Sequence, residues 1–354
     1  MKKIYQSVKF RKFNLKKSIK GLIKRNKKYS EIEKLASYKD SIYNIKDAII
    51  APIDFRFVEN TEEVLKLYSK IRSKDNISNI KGQKYVEMSF EEVKLLDYGT
   101  LSVLTAITDD LKSKNILFRG NYPKDLWCKS FLIDSGFLGN MFDSNGNKIK
   151  LKSNSELIFF EKGSGKLLEK DNRKISELVK KVVFKITGET KHCKPIKTLI
   201  LEICGNSIEW GNTTKKQWLF GLKYESDKVI FTVTDVGIGI LSTLYRKFGQ
   251  KLNDLFQNKT HLEILTGAFE KKYGSNTLEV NRNKGLPSIR INYEIGNIKN
   301  LIIVTNDVIL RYDSKHKSKV FAQKTRRFRG TFYQWEMDND CMNKIFKIKQ
   351  ENGN

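Results

Sequence analysis

The chain has 354 residues, 39% of them apolar, with 67 Lys plus Arg against 40 Asp plus Glu and a formal net charge of +27. That length and apolar content make a globular protein with room for two packed cores, and four prolines and 22 glycines leave no low-complexity linker. The charge points to an anionic partner such as nucleic acid, nucleotide or an acidic protein, and reads equally well as a solvated lysine-rich surface. Cys128, Cys193, Cys204 and Cys341 are scattered, with no CxxC pair and no clustering with His192, His261 or His316, which excludes a zinc site or a disulfide framework. No apolar run is long enough to span a bilayer and no signal peptide follows the basic N-terminus, so a cytoplasmic location is expected.

Residues 1–30 hold twelve Lys or Arg and no acidic residue. Their apolar positions are only loosely helical, so an arm for nucleic acid or a membrane surface and a helix packed on the core fit alike. From Ile50 to Asp143, strand-like runs interleave with amphipathic segments: Asp54 to Val58, Thr61 to Ile71, Lys84 to Phe90, Gly99 to Leu111, Ile116 to Arg119 and Trp127 to Ser135. This predicts an α/β unit. The order of strand, a turn at Asp97 opening a helix, a strand ending near Gly120, a helix and a Ser-Gly-Phe tail resembles the STAS fold of anti-sigma-factor antagonists over about 90 residues. Where that family carries a phosphoacceptor serine, this chain has Tyr98 and Gly99, with Thr100 and Ser102 displaced. A module that docks without being phosphorylated is therefore expected. Residues 144–175 are turn-rich and charged around one apolar strand, Glu156 to Glu161, and mark the domain boundary.

Pro195 opens a helix whose apolar Leu199, Ile200, Ile203 and Ile208 repeat at helical spacing and whose Glu202, Asn206 and Glu209 share one face. A carboxamide oxygen is a hard ligand for magnesium, and a carboxylate one turn away can hold or deprotonate a water. A polar stripe on a surface helix is the plainer reading of these three residues alone. Next, Val229 to Thr234 form a β-rich run entering Asp235, Gly237, Ile238 and Gly239. A carboxylate at a strand end can accept an adenine amino hydrogen, and glycines let backbone approach the base. In NRNKGLPSI, Lys284, Gly285 and Leu286 stand at a predicted helix start suited to phosphate. In RRFRGTFYQWEM, Thr331 follows Gly330 on a predicted strand.

Each piece could be an ordinary turn, but their order and spacing resemble the motif set of the Bergerat-fold superfamily of gyrase, heat-shock ATPase, histidine kinase and mismatch-repair proteins. That resemblance implies an α/β sandwich, a mixed sheet packed on helices, over 195–348, binding ATP and Mg2+. It places Glu202 as general base, Asn206 as magnesium ligand and Asp235 as adenine anchor. It further places Glu209, Gly237, Ile238, Gly239, Lys284, Gly285, Leu286 and Thr331 around the nucleotide. Asn283 stands where the second glycine box has its first glycine, which weakens the expected phosphate grip. Four segments are thus expected: 1–49 basic, 50–150 STAS-like, 151–194 connecting, and 195–348 for ATP.

His192, ten residues before Glu202, reads as a loop residue and not as the acceptor of a sensor histidine kinase; no transducer domain is expected after Gly330. The leading expectation is a Mg-ATP-dependent switch with a regulatory protein partner, in which ATP orders a lid between Leu241 and Lys284. Glu202 suits hydrolysis and transfer to a seryl hydroxyl alike. A nucleic-acid-associated ATPase and a non-hydrolysing nucleotide-binding scaffold are the alternatives, and a homodimer is in keeping with the resemblance, although no segment identifies an interface.

Overall fold

A computed structural model describes residues 48–80, 82–141, 158–164, 167–210, 217–248, 258–270, 285–323 and 326–351. The chain divides into two units, Met1–Lys46 and Asp47–Asn354. The first, with the basic arm 1–30, lies outside the described residues.

The second unit begins with β1 (Ile49–Ile50), β2 (Asp54–Phe55), α1 (Thr61–Ile71), β3 (Ser78–Ile80), β4 (Gln83–Ser89), β5 (Leu95–Leu96), α2 (Tyr98–Ser113), β6 (Ile116–Gly120) and α3 (Leu126–Asp134). β4 is the middle of a small mixed sheet: β6 pairs parallel along it from Lys84↔Ile116 to Met88↔Gly120, and its other side takes β1 in parallel and β3 as an antiparallel hairpin. Local chemistry sets the helix ends. Glu62 and Glu63 lie in the first turn of α1 and Lys70 in its last, each matching the helix dipole. Asp97 caps α2 by accepting the Thr100 amide at 2.6 Å, and Asp125 caps α3 by accepting the Cys128 amide at 2.8 Å.

The C-terminal half follows as β7 (Ile158–Ser164), α4 (Glu169–Thr187), α5 (Lys194–Trp210), β8 (Gln217–Tyr224), β9 (Lys228–Asp235), α6 (Ile240–Phe248), α7 (His261–Phe269), α8 (Gly285–Glu294), β10 (Lys299–Asn306), β11 (Val308–Arg311), β12 (Lys319–Val320), β13 (Phe328–Asp338) and α9 (Asn339–Glu351). Its strands form one sheet in the order β12-β11-β10-β13-β9-β8-β7. The molecule is therefore mixed α/β. A mixed sheet is the expectation for this half, yet every pairing among the described strands is antiparallel. For two of the pairings the reason is local: β8 and β9, like β10 and β11, are joined by turns too short for a parallel crossover. The strand in the expected linker, β7, is the edge of this sheet, so the C-terminal half starts before residue 195.

Alternation along β9 sends Phe231 and Val233 into the core beneath α4 and α5, while Thr234 faces the other way and its hydroxyl meets that of Ser102 on α2 at 2.8 Å. The N-terminal half thus covers the second face of the large sheet. This explains why α2 is buried nearly all round, from Tyr98 to Leu111: it lies between two sheets. Thr100 and Ser102 are fully buried in this contact and Tyr98 stacks on Phe160 at 5.2 Å, so the turn where the STAS resemblance implies phosphorylation is closed to solvent. The two halves share a core in which Phe57 meets Phe332 edge-on at 5.2 Å. Phe332→Ala is accordingly expected to lower the unfolding free energy by about 3–5 kcal/mol. Urea denaturation followed by circular dichroism checks this, with both halves melting in one transition. Among the described residues no helix is long and apolar enough to cross a membrane.

Candidate functional site

Four elements bring most of the singled-out residues to one end of the large sheet. α5 is oriented by Leu199, Ile200, Ile203 and Cys204, all buried beneath the sheet. With that face fixed, Glu202 and Asn206 stand one turn apart, and both contain an atom shielded from solvent without a hydrogen-bond partner, Glu202 Oε2 and Asn206 Nδ2. Buried polar atoms are rarely left so, because each unmade bond costs about 1–3 kcal/mol. The first residue of α8, Gly285, lies against Asn206. A Cβ there would run into the Asn206 carboxamide, whose Oδ1 would be 2.9 Å away, so a larger residue would displace the Asn206 side chain from this position. Leu286, next in line, is half-buried against the same core.

Asp235 ends β9 on the face toward α5. Its carboxylate accepts the Gly237 amide at 2.9 Å and hydrogen bonds from Thr331, its neighbour across the sheet, and from Ser207 on α5. Burial outweighs these bonds and pushes its carboxyl from 3.8 up to about 6. The folded chain then holds the proton more tightly than the unfolded chain between about pH 4 and 6. Stability therefore falls as pH rises through that window, by on the order of 2–3 kcal/mol, and the loss is complete above about 6. Thermal melts of nucleotide-free protein should show it: the stability of wild type relative to Asp235→Asn should drop between pH 4 and 7.

The glycine turn after Asp235 is pinned from β10. Thr305 Oγ1 accepts the Ile240 amide at 2.9 Å and donates to the Gly330 carbonyl at 3.0 Å. Asn306 Oδ1 accepts the Leu241 amide at 3.0 Å, while its Nδ2 donates at 2.8 Å to the Ile238 carbonyl and to Ser242 Oγ. These two side chains cap α6 from another strand. Gly239 has φ +84°, and a Cβ there would press on the Asn306 amide, which accounts for the glycine. Behind the turn, on the α2 side of the sheet, a cavity of ≈ 330 Å³ is lined by Asp109, Lys112, Lys162, Trp218 and Val236. The turn is therefore held by these directed bonds together with the buried Val236 and Leu241 on either side of it.

Asn206 and Gly285 are brought together, as are Asp235, Gly237 and Thr331, with Ile238 and Gly239 in the pinned turn. The Glu209 side chain and Lys284 lie outside the described residues, as does Asn283. His192 is exposed in the segment before α5, as expected of a loop residue. Ser207, Thr305 and Asn306 join the site although the sequence does not single them out. Thr305-Asn306-Asp307 after an apolar strand carries a turn signal, and Asn306 takes φ +53°, but nothing in it points to α6. Among the described residues, no three His, Cys, Asp or Glu side chains gather as a metal-holding group. No protein-family model matches the chain, and no significant relative is found among curated proteins.

Proposed function

We propose that the chain binds Mg-ATP at this end of the sheet, in the manner of the Bergerat-fold superfamily, and acts as a nucleotide-dependent interaction switch. The observation that carries the reading is the pair of partnerless buried atoms on Glu202 and Asn206, one turn apart, with the glycine that starts α8 lying against Asn206. The helix-covered sheet, and Asp235 beside Thr331 at its rim, support it. In this reading Asp235 accepts the adenine amino hydrogen, and Gly237, Ile238 and Gly239 form the wall beside the base. The Asn206 oxygen ligates magnesium, whose remaining ligands come from phosphate and water. Gly285 and Leu286 hold phosphate at the start of α8, Thr331 stands beside Asp235, and Lys284 and Glu209 are nucleotide contacts that the resemblance implies. Glu202 accepts the proton of the attacking oxygen, whether water or a seryl hydroxyl.

The N-terminal half is the STAS-like docking module of this reading, and it lies on the sheet face opposite the helices. Mg-ATP is expected to slow amide exchange and proteolysis across 241–284 by about tenfold or more. Unchanged protection at saturating Mg-ATP would remove the switch. Incubation with γ-labelled ATP then separates hydrolysis, with label in free phosphate, from transfer, with label on protein.

A further inference from the structure

Arg72 follows α1 in the N-terminal half and reaches across to the other half. Its Nη1 donates to the Arg329 carbonyl at 2.6 Å and its Nη2 to the Val236 carbonyl at 2.8 Å. Asp110 lies 4.0 Å from Nη2 and is itself paired with Lys114 at 2.6 Å. Both accepting carbonyls flank the ladder step Asp235↔Thr331, one just after Asp235 and the other two residues before Thr331. The guanidinium therefore ties the ends of β9 and β13 together where each contributes a residue to the candidate site. Its planar fork holds two acceptors at a fixed separation, which a lysine cannot do.

The contact with Val236 has a specific consequence. The Val236 carbonyl and the Gly237 amide are the two ends of one planar peptide unit, and they point in opposite directions. Arg72 holds the carbonyl on one side, and the amide on the other donates to Asp235 Oδ1 at 2.9 Å. The Val236 side chain is buried in the shared core, so it is the rotation of the peptide plane itself that these two bonds fix. Of the other ties between the halves, Arg311 to the Val58 carbonyl at 2.6 Å and Lys319 to Glu62 at 2.7 Å sit at β11 and β12, while Ser102 meets Thr234 at 2.8 Å and Lys162 meets Asp109 at 2.7 Å nearer the turn without touching its peptides.

We propose that Arg72 is a positioning residue of the site: through one peptide plane it sets the orientation of the Asp235 carboxylate, making the N-terminal half a working part of base recognition. This rests on the ATP-binding reading above. The test uses the full chain as wild type, Arg72→Met, Arg72→Lys and Asp235→Asn. Affinities for Mg-ATP and Mg-GTP are measured by calorimetry, and exchange of the Gly237 amide is measured by NMR without nucleotide. Arg72→Met keeps the aliphatic stem and Asp110 keeps Lys114, so the expected result is loss of base discrimination. The ATP:GTP affinity ratio should fall about tenfold and Gly237 exchange should rise about tenfold, as for one lost charged hydrogen bond, with Arg72→Lys between Met and wild type. Should Arg72→Met fail to fold, Arg72→Lys carries the comparison. If ATP and GTP weaken equally, or neither changes while Asp235→Asn loses ATP, the positioning role is overturned and the ATP reading stands. If wild type binds no ATP, both fall.

Discussion

Glu202→Gln is expected to slow turnover of Mg-ATP by about 10²–10⁴-fold while leaving its affinity within a few-fold of wild type, the range attached to removing a general base. Glutamine keeps the length and the hydrogen-bonding oxygen of the side chain but cannot accept the proton. The geometry argues for a separable effect. Glu202 Oε2 is shielded and unpartnered, one helical turn from Asn206, so it makes no hydrogen bond that the fold would lose, and in the proposed site it is the group that would meet the attacking oxygen. Its replacement should leave the melting temperature of the nucleotide-free protein unchanged or slightly raised, since Glu202 is half-buried and its shielded Oε2 has no partner to lose. Single-turnover measurement with labelled ATP reads the rate, and calorimetry reads the binding. A Glu202→Gln protein that turns over at the wild-type rate would remove Glu202 from the chemistry and leave a binding scaffold.

Asp235→Asn should weaken ATP binding by about 10–100-fold, corresponding to roughly 1–3 kcal/mol for a buried hydrogen-bonding group left facing the wrong partner. The variant oxygen can still accept the Gly237 amide, as Asp235 Oδ1 does at 2.9 Å. Its new NH2 then faces the hydroxyls of Ser207 and Thr331 and the position of the base, where an acceptor is required. Because the native carboxyl titrates near 6, affinity for ATP should also depend on pH between about 5 and 7 in wild type and not in the variant. Equal affinities for wild type and variant at pH 7.5 would exclude Asp235 as the base anchor.

Much of this arrangement is legible in the sequence because it is local. Helical spacing at Leu199, Ile200 and Ile203 places Glu202 and Asn206 on one helix, and the β-rich run into Asp235 is β9. The segments Thr61 to Ile71, Gly99 to Leu111 and Ile116 to Arg119 fall on α1, α2 and β6 within a residue or two. What stays hidden depends on contacts distant in sequence. Nothing in the residue spacing of α2 shows that Gly99 and Ser102 abut a second sheet; small residues on a helix are equally common on its outer face. Arg72 is one basic residue among 67 Lys and Arg, and its bonds span 164 and 257 positions. Asn306 caps a helix 65 residues away, which no capping pattern within α6 reveals. The edge strand β7 reads as part of a linker because its partner β8 lies some fifty residues further on.

Isothermal titration of the full chain with ATP, with and without magnesium, tests most directly whether the end of the sheet marked by Asn206 and Asp235 is a Mg-ATP site. The expected result is one ATP per chain, tightened by magnesium in wild type but not in Asn206→Ala. Absence of saturable ATP binding at millimolar nucleotide, or binding that Asn206→Ala and Asp235→Asn leave untouched, would contradict it.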